Sequence, residues 1–156
     1  MDDETAAEIR GGGKVIGDEF GASTGRPRDC GWFDAVLARS ACRWSGVTRV
    51  TVTKLDKLSK LTAIKVGVAW RINGTDYIFK PADATLVQDP SLEVVYETLA
   101  GWNQDISGCK KWENLPQQAQ EYVEYLERLL NDGATEPVVI DRIGVGPAED
   151  DVIVRC

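Results

Sequence analysis

Histidine does not occur once in the 156 residues, which removes the commonest general acid–base and the commonest transition-metal ligand. Any proton chemistry performed by this sequence unaided falls to carboxylates. Long apolar runs are missing as well. No stretch approaches the length of a membrane span, so a soluble protein without membrane contact is expected. The opening Met1-Asp2-Asp3-Glu4 is acidic, whereas a secretory signal needs positive charge followed by an apolar segment. Secretion is therefore not expected. Cysteine is sparse: Cys30, Cys42, Cys109 and Cys156 lie far apart with no Cys-x-x-Cys pair. Neither a zinc site nor a disulfide framework is suggested, and reduced thiols in a cytoplasmic protein fit best. Basic side chains are in deficit, 18 against 25 acidic ones, and the net charge of −7 opposes non-specific binding to nucleic acid or anionic membrane. Any phosphate site must be local.

What remains is globular. Apolar residues at 43 % and charged residues at 28 % are ordinary values, and the length is that of one domain able to bury a core. With no internal repeat and no composition shift, residues 1–156 read as a single region.

A short helix is expected over residues 3–10, ending at Gly11-Gly12-Gly13. Apolar positions at Phe33, Val36, Leu37, Ala41 and Trp44 predict a helix over 33–44 packed on a sheet, with Gly46 ending it. Residues 47–52 are β-branched, apolar or Thr at nearly every position, the composition of a strand buried on both faces of a parallel sheet. Ile64, Val66, Val68, Trp70 and Ile72 alternate with Lys65, Gly67, Ala69 and Arg71, a half-buried strand. It leads into Asn73-Gly74 and residues 75–79, which predicts a β-hairpin. Residues 94–102 read as extended and 103–115 as a loop. Pro116 opens a helix with apolar residues at Ala119, Tyr122, Val123, Leu126, Leu129 and Leu130, closed by Asn131-Asp132-Gly133. A last strand over 137–143 and a short terminal strand over 151–155 complete an α/β pattern.

Anion-binding chemistry is concentrated in Gly21-Ala22-Ser23-Thr24-Gly25-Arg26-Pro27-Arg28-Asp29-Cys30-Gly31-Trp32-Phe33-Asp34. Ser23, Thr24 and Gly25 allow backbone N–H groups to approach an anion. Arg26 and Arg28, two residues apart, project to one side of an extended segment and present paired planar donors suited to carboxylate or phosphate. Pro27 fixes the backbone between them, and Trp32 and Phe33 are expected to hold the loop to the core. Chemistry alone leaves two readings open, a binding loop or a polar turn with solvated arginines.

Thr53-Lys54-Leu55-Asp56 follows the strand at 47–52, and ligands gather at the carboxyl ends of strands in α/β sheets. There an Asp carboxylate can accept from guanine N1–H and the 2-amino group, a donor pair that adenine lacks, while a lysine stem covers the base. The alternative is an exposed charged turn with Lys57 and Lys60 alongside. Gly144-Val145-Gly146-Pro147, after the last strand, is a turn whose glycines permit close backbone approach to a planar ligand.

The Ser-Thr-Gly-Arg-x-Arg run with Cys-Gly-Trp-Phe-Asp closely resembles the substrate loop of adenylosuccinate synthetases. The resemblance continues through Thr53-Lys54-Leu55-Asp56, Ile64-Lys65-Val66, Ala69-Trp70-Arg71, Val95-Tyr96-Glu97-Thr98-Leu99 with Gly101-Trp102, and Gly146-Pro147. Three positions depart from the family pattern: Asp29 replaces a basic residue, Ala100 a frequent proline, and Gly144 a serine. The resemblance implies the C-terminal portion of a P-loop-like, mostly parallel sheet with flanking helices. It also implies a GTP-dependent ligase that joins IMP and L-aspartate into adenylosuccinate, with Mg²⁺, as a cytoplasmic homodimer.

By that pattern Ala22, Ser23, Thr24, Gly25, Arg26, Pro27 and Arg28 line the aspartate and IMP site. Arg28, Lys54, Leu55, Asp56, Gly144, Val145 and Gly146 serve GTP. Arg26 and Arg28 are the residues open to transition-state electrostatics, and no catalytic acid or base is assigned. The family's Gly-Asp-Glu-Gly-Lys-Gly phosphate loop and catalytic histidine have no counterpart in these residues. The expectation is a piece of a longer chain, or a truncated product starting at an internal Met, with the Mg²⁺ ligands elsewhere. Two other readings stay open: a phage-type ligase acting on dGMP and aspartate, and a non-catalytic nucleotide-binding module.

Overall fold

A computed structural model of the chain describes residues 1–13 and 17–155. Helix α1, Asp3–Arg10, starts where Asp2 accepts from the Thr5 backbone N–H at 2.9 Å and ends at Gly11, as expected. A two-residue strand β1, Phe33–Asp34, precedes helix α2, Ala35–Ser45. The predicted helix over 33–44 therefore begins later. Phe33 and Asp34 pair in parallel with Val66 and Gly67 of the next sheet strand, and Asp34 becomes the helix cap rather than part of the helix. Gly46, left-handed with φ 63°, closes α2.

Strand β2, Arg49–Val52, pairs in parallel with the later strand β6, Val139–Gly144, which in turn pairs antiparallel with β7, Val152–Val154. In the order β2-β6-β7, β2 lies at an edge and its residues alternate between exposed and half-buried. The expectation of a strand buried on both faces is thus corrected. The run of β-branched residues is a packing preference, which an edge strand satisfies on one face only; Arg49, exposed and paired with Asp141 at 2.6 Å, marks the other.

The second sheet is built on β3, Ala63–Ile72, flanked by β1, by β4, Thr75–Tyr77, and by β5, Glu93–Ala100. Asn73 and Gly74, with φ of 49° and 78°, make the two-residue hairpin turn that the sequence predicts. A four-residue helix α3, Ala84–Val87, follows. Among the described strands, β1–β3 and β2–β6 are parallel whereas β3–β4, β3–β5 and β6–β7 are antiparallel. The class is α/β, but these residues carry mixed sheets rather than a mostly parallel one.

Helix α4, Gln117–Asn131, begins directly after Pro116 and buries Ala119, Tyr122, Val123, Tyr125, Leu126 and Leu130. This face joins the two sheets in one core with Ile64 and Val66 of β3, Ile140 and Ile143 of β6, and Ile153 of β7. Each large side chain removed from water there contributes about 1.5–3 kcal/mol. Arg39 is also interior, only 2 % exposed. Its guanidinium donates to Val68 O at 2.7 Å and pairs with Asp132 at 3.3 Å, so it ties α2 to β3 and to the end of α4. No membrane-length apolar helix occurs among the described residues.

Candidate functional site

The loop after α1 is a narrow hairpin. Phe20 bridges Pro27, Gly21 N donates to Arg26 O at 2.8 Å, and Arg28 N donates to Glu19 O at 2.9 Å. At its tip Gly25, with φ 64°, donates to Gly21 O at 2.8 Å, and the Thr24 hydroxyl accepts from Arg26 N at 3.3 Å. Residues 22–29 are all exposed. Gly21, Thr24, Arg26, Pro27, Arg28 and Asp29 line one open concavity of about 310 Å³. Arg26 and Arg28 thus border the same concavity, together with Pro27 between them. Arg28 pairs with Glu19 at 3.2 Å rather than with the neighbouring Asp29.

The loop is anchored at both ends. Arg10 Nε donates to Arg28 O at 2.6 Å, and Glu19 N donates to Arg10 O at 2.8 Å, which fastens the hairpin to the end of α1. On the far side Trp32 and Phe33 pack against the core, and Asp34 fixes the entry into α2.

Thr53-Lys54-Leu55-Asp56 turns sharply out of β2 into a 3-10 turn, Leu55–Leu58. Lys54 takes a left-handed conformation with φ 62°, uncommon outside glycine. Its ammonium reaches Glu19 and, at 3.4 Å, the Gly17 carbonyl. Leu55 is buried, so it anchors the turn in the core and offers a ligand no side-chain surface. The Asp56 carboxyl is half-buried and makes no side-chain hydrogen bond or ion pair to another described residue. Burial raises its pKa above the ordinary value, against the opposing pull of Lys57 and Lys54. A carboxylate with unfilled acceptor capacity fits a ligand that brings two donors.

The last turn abuts this one. A Cβ on Gly144 would lie 3.3 Å from Thr53 Cα and 3.6 Å from Lys54 N, so the glycine lets the end of β6 press against the Thr53–Lys54 backbone. Val145 is fully buried and donates to Asp151 O at 2.8 Å. Gly146 sits against the Asp151 carboxylate, which accepts from Ala148 N at 3.0 Å and pairs with Lys110 at 2.9 Å. Pro147 comes within 3.5 Å of where a Cβ on Gly17 would stand.

Loop, lysine turn and final turn therefore converge around residues 17–19. Lys54, Trp32 and Phe33 line a concavity of about 210 Å³ with Thr53, Lys57 and Tyr122. Asp56 opens instead into a neighbouring concavity of about 480 Å³ with Ser59, Lys60 and Asn103; Lys57 lines both. The motif pattern did not single out Asp18 or Glu19, which pair with Lys57, at 3.1 Å, and Lys54 respectively. The available signal was two acids immediately before a cationic loop. Among the described residues no group of three or more acidic or thiol side chains is placed to hold a metal ion. Cys30, Cys42 and Cys109 are unpaired, and Cys156 lies outside the described residues.

The family model described as adenylosuccinate synthetase matches residues 1–153. Similar proteins include the adenylosuccinate synthetase of Coccidioides posadasii, 44 % identical over 91 % of this chain and 32 % of that protein. That of Uncinocarpus reesii is 42 % identical over the same shares. A chloroplastic adenylosuccinate synthetase of Chlamydomonas reinhardtii is 42 % identical over 91 % of this chain and 29 % of its own length. The fully ligated adenylosuccinate synthetase of Plasmodium falciparum superposes with a TM-score of 0.81 at 31 % identity, covering 100 % of this chain and 35 % of that one. The chain spans about a third of the length of these relatives.

Proposed function

Since the chain belongs to the adenylosuccinate synthetase family, we propose that it supplies the guanine-binding turn and the aspartate loop of a GTP-dependent ligase. The ligase phosphorylates O6 of IMP, and the aspartate amine then displaces that phosphate to give adenylosuccinate, a step toward AMP. The observation that carries this reading is the junction of Gly144 with the Thr53–Lys54 backbone, two residues before the half-buried carboxyl of Asp56. Two motifs distant in sequence form one edge there, as a base pocket requires.

In this reading Asp56 accepts guanine N1–H and the 2-amino group, the Lys54 stem lies across the base, and the backbone of residues 144–146 forms the opposite wall. Ala22, Ser23, Thr24, Gly25 and Pro27 shape the aspartate loop. Arg26 grips the aspartate carboxylates and reaches the IMP ribose, while Arg28 faces both aspartate and the GTP phosphates. Neither arginine moves a proton. Their part is to hold anions and to meet negative charge that develops during transfer. Proton transfer and Mg²⁺ binding fall to residues outside these 156, in a cytoplasmic homodimer.

Asp56→Asn in the complete enzyme tests the reading. An amide donates where xanthine carries a carbonyl and no longer accepts two guanine protons, so GTP weakens and XTP improves. An unchanged GTP/XTP preference in steady-state kinetics removes the guanine assignment.

A further inference from the structure

Glu19 belongs to none of the motifs that mark the site, yet its carboxylate stands between the two parts of it. Oε2 accepts from Arg28 Nη1 at 3.2 Å, and Oε1 accepts from Lys54 Nζ. The backbone of the same residue is held on both sides, by Arg10 O at 2.8 Å and by Arg28 N at 2.9 Å. Its side chain is 20 % exposed, whereas those of Arg28 and Lys54 are 59 % and 42 % exposed. A confined anion thus holds two more exposed cations, and it fixes the distance between them. The hydrogen bond from Lys54, with help from Arg28, keeps the Glu19 carboxyl below the ordinary range, so it stays ionised at neutral pH.

The left-handed backbone of Lys54 adds a second observation. A non-glycine residue persists in that region only where its surroundings hold it there. Here the strained backbone sends the ammonium to the root of the arginine loop, where Glu19 and the Gly17 carbonyl receive it. Beside this pair, Lys57 engages Asp18 at 3.1 Å. Both acids that precede the loop are therefore in contact with lysines of the turn after β2.

We propose that Glu19 is a positioning residue that couples the two ligand subsites. Anchoring the Lys54 ammonium stretches its stem along the wall of the base site, and binding Arg28 aims the guanidinium into the aspartate concavity. Glu19 thereby fixes a group of one subsite relative to a group of the other, and removing its charge loosens both. The inference rests on the reading under Proposed function, because it takes Arg28 and Lys54 as ligand-binding groups.

Two measurements test it. In the assembled enzyme, Glu19→Gln keeps the shape and removes the charge. It raises the KM values of both GTP and aspartate by about three- to ten-fold while kcat changes less. Glu19→Asp, which keeps the charge, lies between wild type and Glu19→Gln. A rise in only one KM, or a fall in kcat alone, overturns the coupling. The second measurement needs no nucleotide: a carbon-13 NMR titration of the Glu19 carboxyl in the 156-residue chain, alone and with Arg28→Ala or Lys54→Ala. Each substitution moves its midpoint upward. A midpoint unmoved by either overturns the proposal even if Glu19→Gln fails to fold. Asp56→Asn reports separately on the guanine reading, so the two fail independently.

Discussion

The indole Nε1 of Trp70 donates to Asp34 Oδ2 at 3.0 Å, while Oδ1 of the same carboxylate accepts from the N–H groups of Val36 and Leu37 at 2.9 and 3.1 Å. One side chain thus closes the N-terminus of α2 and ties it to the C-terminal part of β3, at the point where the arginine loop rejoins the core. The loop's position depends on this joint, because Phe33 and Asp34 are also the two residues of β1.

Asp34→Ala removes the helix cap, worth about 0.5–2 kcal/mol, and leaves the buried indole N–H without a partner, about 1–3 kcal/mol more. A fall in Tm of about 3–20 °C is expected for a chain of this size. Asp34→Asn keeps one acceptor oxygen for the Val36 and Leu37 N–H groups but sets an amide NH2 against the indole N–H, so it retains the cap, loses the tie to Trp70, and falls between wild type and Asp34→Ala. Equal melting of the Ala variant and wild type would show that neither hydrogen bond matters.

Much of this arrangement was legible because local chemistry and tertiary role agree. Asn73-Gly74 dictates a left-handed turn, and the spacing from Ala119 to Leu130 dictates an amphipathic helix. Each became the expected element. Strand β2 misled because β-branched side chains signal a pleated, packed surface without saying whether one face or both are covered, and only its pairing partner β6 decides that. Phe33 fitted the helical period, but parallel pairing with Val66 draws it into the sheet. Arg39 and Glu19 escaped notice for a shared reason. Buried or confined charges are set by partners far along the chain, Asp132 for one and Lys54 for the other. In the site, the resemblance supplied which residues to watch, whereas the contact of Gly144 with Thr53 could be read only from the fold.

Asp56 gives a pH signature. Burial raises its pKa in the folded chain, so the folded state holds this proton more tightly than the unfolded one. Below the ordinary Asp value of about 3.9 the group is protonated in both states and adds nothing. As pH rises from there through the elevated midpoint, the unfolded state ionises first and stability falls; above that midpoint the whole penalty persists. Asp56→Asn is therefore more stable than wild type at neutral pH, and the gap closes on acidification. Guanine binding runs the other way, since only the carboxylate accepts both donors. GTP affinity drops as pH falls through the raised midpoint, and calorimetric titration across that range finds no such limb in the Asn variant.

Arg26→Lys separates a ligand clamp from a solvated surface arginine. The side chain is exposed and makes no side-chain hydrogen bond or ion pair to another described residue, so stability should be unaffected. Losing one charged hydrogen bond from a paired fork is worth roughly 1.5–3 kcal/mol. Apparent KM for aspartate rises, or turnover falls, by about ten- to hundred-fold in the complete enzyme. Kinetics within about twofold of wild type, with unaltered melting, assign Arg26 to plain surface.

These 156 residues by themselves are expected to show no synthetase activity. They contain no histidine and no glycine-rich phosphate loop, so no evident base takes the purine N1 proton and no acid assists at O6. Arg26 and Arg28 can hold anions, but binding substrate without contacts that strengthen in the transition state does not accelerate a reaction. Affinity should be poor as well. The concavities at the arginine loop and at Asp56 are open on one side, and a site lacking part of its wall loses preorganisation. The assay measures adenylosuccinate formed from GTP, IMP, aspartate and Mg²⁺ by purified residues 1–156, alone and mixed with a separately expressed portion carrying the phosphate loop. Activity that appears only on mixing places the loop and the lysine turn in a composite site. Turnover by the chain alone, above a heat-inactivated control, would mean that carboxylates such as Asp56 or Glu19 do the proton chemistry, and the division of labour proposed here would be wrong.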